Sequence, residues 1–169
     1  IFPSIEKALG WFARHIGPHG VVADLPHWHF HDWAALGRHG EATTLNAQLA
    51  GSYRAAARLA RALEAQRSAR EYEGRADRIV AALIERAWDD ARAVYVDGVD
   101  PGTGVRDRRV SQHANAAMML WGGAPPARWP SMIAAITDPR RLVFTAAPPI
   151  VPTGGDFDPE RHVVLANTF

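Results

Sequence analysis

Two long runs of helical periodicity with almost nothing between them constrain this chain more than any other feature. Leu45, Leu49, Tyr53, Ala56, Leu59, Ala60 and Leu63 recur at the spacing that puts side chains on one helix face, and Thr43 or Thr44 stands where a cap is needed. Behind them Ser68-Ala69-Arg70-Glu71 has the form of a capping box, so a second helix is expected to start near Ser68 and to carry Tyr72, Ile79, Leu83 and Trp88. A link this short forces the two helices antiparallel, as an αα-hairpin. The many alanines in the first helix let a neighbour approach closely.

The flanking chain continues the helical theme. Pro3-Ser4 is a helix entry, and Ile5, Leu9, Phe12 and Ile16 form a stripe that Gly17-Pro18 and Gly20 close. Val94-Tyr95-Val96 followed by Asp97-Gly98 and the turn-rich Asp100 to Gly104 predicts a small β excursion near 94–110. Two shorter helices follow, one from about Ser111 to Trp121 ending at Gly122-Gly123, the other from about Pro126 to Ile136 ending at Asp138-Pro139. The final thirty residues, rich in Pro and Gly, read as loop. The expected class is therefore all-α, built from consecutive helical hairpins. Toroid and simple bundle are not separated by periodicity alone, and the residues show no repeat at a fixed period.

With 169 residues the chain fits one domain, and 47% hydrophobic against 22% charged residues is a composition that can build a core. It opens on Ile1-Phe2-Pro3 without Met and stops on Asn167-Thr168-Phe169, which reads as a single incomplete segment, residues 1–169, of something longer. A formal charge of +1 gives little attraction for nucleic acid or an anionic membrane. No apolar run reaches the roughly 18 residues of a membrane span. The absence of Cys excludes a disulfide framework, a thiol nucleophile and thiolate metal sites.

The densest chemistry lies in His27-Trp28-His29-Phe30-His31-Asp32-Trp33. If the segment is extended, His27, His29, His31 and Trp33 point to one face and Trp28, Phe30 and Asp32 to the other. Three readings stay open. Alternate imidazoles could ligate one zinc; indoles beside a carboxylate suit a sugar, whose apolar ring face stacks while its hydroxyls donate; or an aromatic loop simply plugs one end of the helices. Ser111-Gln112-His113-Ala114-Asn115 offers neutral hydrogen-bonding groups that suit capping and a buried Asn network, or the reading of hydroxyls. Arg54, Arg58 and Arg61 read as a solvated helix face. Asp156, Asp158 and Glu160 lack the spacing of an EF-hand calcium loop. Asp89-Asp90, as sequence neighbours, rarely face each other as the two carboxylates of a glycosidase must.

Several elements in order carry a family resemblance: Ala8-Leu9-Gly10-Trp11-Phe12, His15-Ile16-Gly17-Pro18, Leu25 through Trp33 ending in Phe30-His31-Asp32-Trp33, Leu45-Asn46-Ala47, Ser111-Gln112-His113-Ala114-Asn115-Ala116, and Ala166-Asn167-Thr168-Phe169. Together they resemble the catalytic domain of bacterial α-L-rhamnosidases, with His31 where an aliphatic residue is usual. The resemblance implies part of an (α/α)6 toroid, a carbohydrate substrate with a terminal α-L-rhamnoside, inverting hydrolysis, and neither cofactor nor metal. It places Asp32 and Trp33, with Trp28, in contact with the sugar. It places the general acid before and the general base after these residues, so that no catalytic residue is expected among them and the partners include missing parts of the same domain. The alternative is a free-standing all-α interaction module or a His-rich metal-binding module.

Overall fold

A computed structural model describes residues 1–27, 29–32, 34, 36–143 and 158–166. Helix α1 spans Phe2–Ala13, α2 Thr43–Ala62 and α3 Gln66–Arg86. Strands β1 (Trp88–Asp89) and β2 (Val94–Tyr95) form an antiparallel ribbon. Strand β3 (Val110–Ser111) leads into α4 (Gln112–Leu120); a 3-10 turn at Pro126–Arg128 leads into α5 (Trp129–Thr137). Strands β4 (Leu142–Val143) and β5 (Val163–Val164) then join β3 in a parallel sheet of order β3-β5-β4. Among the described residues no helix is long and apolar enough to cross a membrane.

The central hairpin forms as its periodicity dictates. Tyr53 and Tyr72 stack at 5.9 Å, Arg61 pairs with Glu73 and Arg54 with Asp77, a register that only antiparallel helices give. The arginine stripe on α2 thus spends Arg54 and Arg61 on the opposite helix. Leu63 to Ala65 make the whole link, with Glu64 in the left-handed region at φ 59°. That economy overturns the expected capping box: α3 begins at Gln66, and Ser68 lies inside it without capping. Trp88 likewise belongs to β1 rather than to α3. Thr43 does not cap α2 either. Ala42 holds the cap position, while the Thr43 hydroxyl donates to the Val96 carbonyl at 2.7 Å. Ile16 falls outside α1 and bridges Val22 instead.

One device occurs twice. In α2 the buried Asn46 accepts the Val22 N–H through Oδ1 and donates from Nδ2 to the carbonyls of Val22 and Ala42. In α4 the buried Asn115 accepts the Tyr95 N–H and donates to the carbonyls of Tyr95 and Ser111. Each Asn stands four residues after its helix cap and saturates both backbone groups of one residue in the preceding extended segment. Because Thr43 is bound to Val96 and Asn115 to Tyr95, both helices start against the same stretch of chain. They then run in the same direction, so that Gly51 in the middle of α2 meets Trp121 at the end of α4. A Cβ on Gly51 would stand 2.8 Å from the Trp121 Cγ, so glycine is what lets the indole lie on the α2 backbone. The core fills the space beneath, with Tyr53, Ile79, Val94, Tyr95, Met118, Met132 and Val163 buried in one cluster.

The last thirty residues, expected as loop, are turn or irregular where described except for the two short strands β4 and β5. Val163 and Val164 form the central strand of the parallel sheet and are fully buried. A two-residue strand is too short to show a period in the sequence, and only its partners Val110-Ser111 and Leu142-Val143 define it. The class is helix-rich with small sheets rather than purely α.

Candidate functional site

The aromatic segment is not a strand. Its ends are tied where the Asp24 N–H donates to the Gly40 carbonyl at 3.1 Å and the Gly40 N–H donates to Asp24 Oδ1 at 2.7 Å, and among the described residues between them none is in a strand, with bends at Pro26, His27, His31 and Ala34. The expected single face of His27, His29 and His31 is therefore broken. The exposed His27 ring stacks on Trp11 at 6.0 Å, whereas the His29 and His31 rings meet edge to face at 5.1 Å. Among the described residues no group of three or more His, Asp or Glu side chains is arranged to hold a metal ion. Trp28 and Trp33 lie outside the described residues, as does Asp156 of the acidic run. Asp158 Oδ1 accepts the Glu160 N–H, and Glu160 pairs with Arg108 at 2.8 Å.

Asp32 is 3% exposed, and its Oδ2 sits 2.7 Å from Nε2 of His113, a residue 81 positions away. Its carbonyl accepts from Arg38 Nη2 at 2.7 Å. His113 stands in the first turn of α4, which Ser111 caps through its hydroxyl to the Ala114 N–H. A second carboxylate ties the same loop to the same helix end: Asp97 Oδ1 accepts the Ser111 hydroxyl at 2.6 Å and Oδ2 accepts the Gly37 N–H at 3.0 Å. The loop over 32–37 is thus fastened to the start of α4 at two points. Sequence reasoning picked out Ser111 to Asn115 for hydrogen bonding, and capping and the Asn network are what Ser111 and Asn115 do. It did not assign His113 to the site, because no local pattern announces a partner so distant in the chain.

Complete burial raises the Asp97 pKa above the usual carboxylate range, opposed by its bonds to Ser111 and Gly37. The folded state then holds that proton more tightly than the unfolded chain, so the group's contribution is most favourable below the ordinary Asp pKa of about 3.9 and declines as pH rises toward the folded value. Asp97→Asn removes this decline. The difference in Tm, variant minus wild type, should increase from acid pH upward, and a difference independent of pH would contradict the assignment.

Between α2 and α4 lies a cleft of about 450 Å³ lined by His31, Thr44, Gln48, Gln112, His113, Ala116, Ala117, Leu120, Trp121, Ile136 and Ala166. Its wall is mostly apolar, with Trp121 41% exposed beside it. Gln112 is spent on structure: Nε2 donates to the Ile136 carbonyl at 2.7 Å, and Oε1 accepts the Ala166 N–H at 2.9 Å. Among the described residues lining this cleft there is no Asp or Glu. The adjacent Asp89 and Asp90 are not a catalytic pair. Asp89 holds Arg92 at 2.7 Å, and Asp90 accepts the Trp88 indole N–H at 2.6 Å.

Burial, reinforced by the neighbouring His29, Arg38 and His113, lowers His31 to about 4. Burial also lowers His29. At neutral pH His31 therefore presents a neutral imidazole to the cleft, able to accept as well as donate.

Residues 7–162 match the family described as mannosylglycerate hydrolase MGH1-like glycoside hydrolase domain. A crystal structure of a GH78 family rhamnosidase of Bacillus sp. GL1 superposes with a TM-score of 0.73 at 25% sequence identity, over 82% of this chain and 15% of that one. This chain thus spans a small part of that protein's length. A comparison with curated proteins finds no match.

Proposed function

Because this chain belongs to the MGH1-like glycoside hydrolase domain family, we propose that its α2–α4 cleft is a sugar-binding wall in a glycosidase that hydrolyses terminal α-L-rhamnosides with inversion. The observation that carries the reading is the fastening of the aromatic loop, through Asp32 and His113, beside a mostly apolar cleft. A sugar ring demands such a surface, apolar for its C–H face and polar at the edge for its hydroxyls. The structural likeness to a rhamnosidase supports rhamnose as the sugar. In this reading Trp33 and Trp28 contact the substrate, Asp32, expected from the sequence to contact it too, instead holds the loop against His113 behind the cleft wall, and no cofactor or metal takes part.

Inverting hydrolysis needs two carboxyl groups about 6.5–9.5 Å apart across the scissile bond. That no carboxylate is among the described residues lining the cleft supports placing both outside this chain. Helices α2 to α5 would then be one section of an (α/α)6 toroid, a placement supported by the repeated Asn46 and Asn115 clamps, which set the starts of α2 and α4 side by side.

Two measurements test the reading. The chain should bind L-rhamnose in preference to D-glucose, with backbone resonances of Thr44, Ala116 and Trp121 perturbed. It should also release no aryl alcohol from an aryl α-L-rhamnoside above the buffer rate. Turnover that survives independent purifications would show that acid and base are present here after all. Preference for D-mannose would move the substrate toward the sugar in the family's description.

A further inference from the structure

We propose that the loop over 29–38 is an acid-released latch: when its buried imidazoles take up protons it lets go of the start of α4, and the side of the α2–α4 cleft that His31 lines opens with it. Such a latch works on the loop itself, whatever occupies the cleft.

The loop is attached so that it can come away alone. Among the described residues its buried apolar side chains, Ala34 and Leu36, pack with Val164 in a small cluster separate from the main core. Its fastenings are polar: Asp32 Oδ2 lies 2.7 Å from His113 Nε2, the Gly37 N–H donates to Asp97 Oδ2 at 3.0 Å, and Asp24 and Gly40 close its base. A segment held in this way opens locally without unfolding the core.

Positive charge crowds the junction. The His29 and His31 rings meet at 5.1 Å; Arg38 on the loop and His113 on α4 also bear on His31, and Arg38 and His39 bear on His29. The carboxylates there are already engaged, Asp32 with His113 and Asp97 with Ser111 and Gly37, while α2 lines the cleft with the uncharged Thr44 and Gln48. His29 Nε2 and His31 Nε2 are buried without a hydrogen-bond partner among the described residues. A neutral ring tolerates one such nitrogen as a bare lone pair, but a protonated ring carries a hydrogen on both nitrogens and needs an acceptor for each. Protonation in the closed loop would set an unmet donor and an added charge beside Arg38, which is costly. Because the nitrogens are shielded from solvent, the proton is taken up as the loop opens.

The direction follows from linkage. Burial, with the neighbouring His29, Arg38 and His113, lowers His31 from 6.5 to about 4, and burial lowers His29 in the same direction. The released loop therefore binds these protons more tightly than the closed one. Release is favoured as pH falls from about 6.5 toward about 4, and these groups leave it unchanged above that window. Asp97 acts in the opposite sense, because its raised pKa makes its contribution more favourable in acid.

Amide hydrogen exchange of the wild-type chain between pH 7 and pH 4, corrected for the intrinsic pH dependence of exchange, tests the latch. Protection at Leu36 and Gly37 should fall roughly 10- to 100-fold over that range, while Ile79 and Leu83 in α3 keep theirs. His31→Leu should remove most of the fall and His29→Leu part of it. His27→Leu, which deletes an exposed ring of the same segment, should remove none. Loop protection that holds to pH 4 overturns the proposal, as does a fall that α3 shares, that both His29→Leu and His31→Leu retain, or that His27→Leu removes as well. Should His31→Leu not fold, the imidazole spectra of the wild type decide: the His31 ring should titrate well below 6.5, and a midpoint at 6.5 with the loop still protected overturns the latch.

Discussion

Asn115→Leu should cost about 2–5 kcal/mol of unfolding free energy, because it leaves the buried N–H and carbonyl of Tyr95 without the amide that meets them. Leu is close to Asn in size, so the loss is one of hydrogen bonding more than of volume. Domains of this size are stable by only about 5–15 kcal/mol, so the variant should unfold at a markedly lower urea midpoint with an unchanged m-value. Asn46→Leu strips Val22 of the same pair of bonds and should cost nearly the same. A cost below about 1 kcal/mol at either position, less than a single unmet buried group incurs, would show that the clamp does not bear on stability. Asn115→Asp separates the parts of the clamp, since a carboxylate still accepts from Tyr95 but cannot donate.

Glu41→Ala should cost about 3 kcal/mol, the low end for a broken buried ion pair because Arg86 keeps some exposure. The carboxylate is buried beside the loop base. It accepts from Arg86 Nε at 2.7 Å and Nη2 at 3.1 Å and lies 2.6 Å from His19 Nδ1. One group thereby joins the turn at Gly17 to Gly20, the end of α3 and the start of α2. Glu41→Gln keeps a donor-acceptor contact with one side only and should fall between wild type and Ala. Hydrogen exchange should show where the damage goes: amides of α2 beyond its first turn keep their protection, while those of the 24–40 loop lose it. An Ala variant with wild-type midpoint and loop protection would contradict the account.

The helices were legible because periodicity over two or more turns is a strong signal, and all five stand within a few residues of their expected positions. Their starts were less legible. Thr43 and Ser68 have the chemistry of caps, yet tertiary structure claims the Thr43 hydroxyl for Val96, and a three-residue link leaves Ser68 no room to begin α3. The parallel sheet was hidden for a different reason, since each of its strands is two residues long and defined wholly by neighbours far away in sequence. For the candidate site, the sequence pointed to the loop that carries Asp32 and to the helix start at Ser111 to Asn115. It did not join them, because the Asp32–His113 contact is a fact of folding with no trace in either segment. The alternation expected of His27, His29 and His31 failed because it presumed an extended backbone, whereas His27 and His31 sit at bends.

The shared anchorage of α2 and α4 has an electrostatic consequence. Two helices that start side by side against Tyr95 to Asp97 present their positive dipole ends at one rim, each equivalent to roughly half an elementary charge and fading within the first turn. The rim where Thr44 and His113 stand is therefore a place for oxygen lone pairs and a poor place for a developing cation. In a reaction that builds positive charge on the anomeric carbon and ring oxygen, the sugar should turn its hydroxyls toward these helix ends and its reacting carbon away from them. If the cleft holds a sugar as proposed, the field of the backbone, before any side chain is counted, gives that sugar a front and a back.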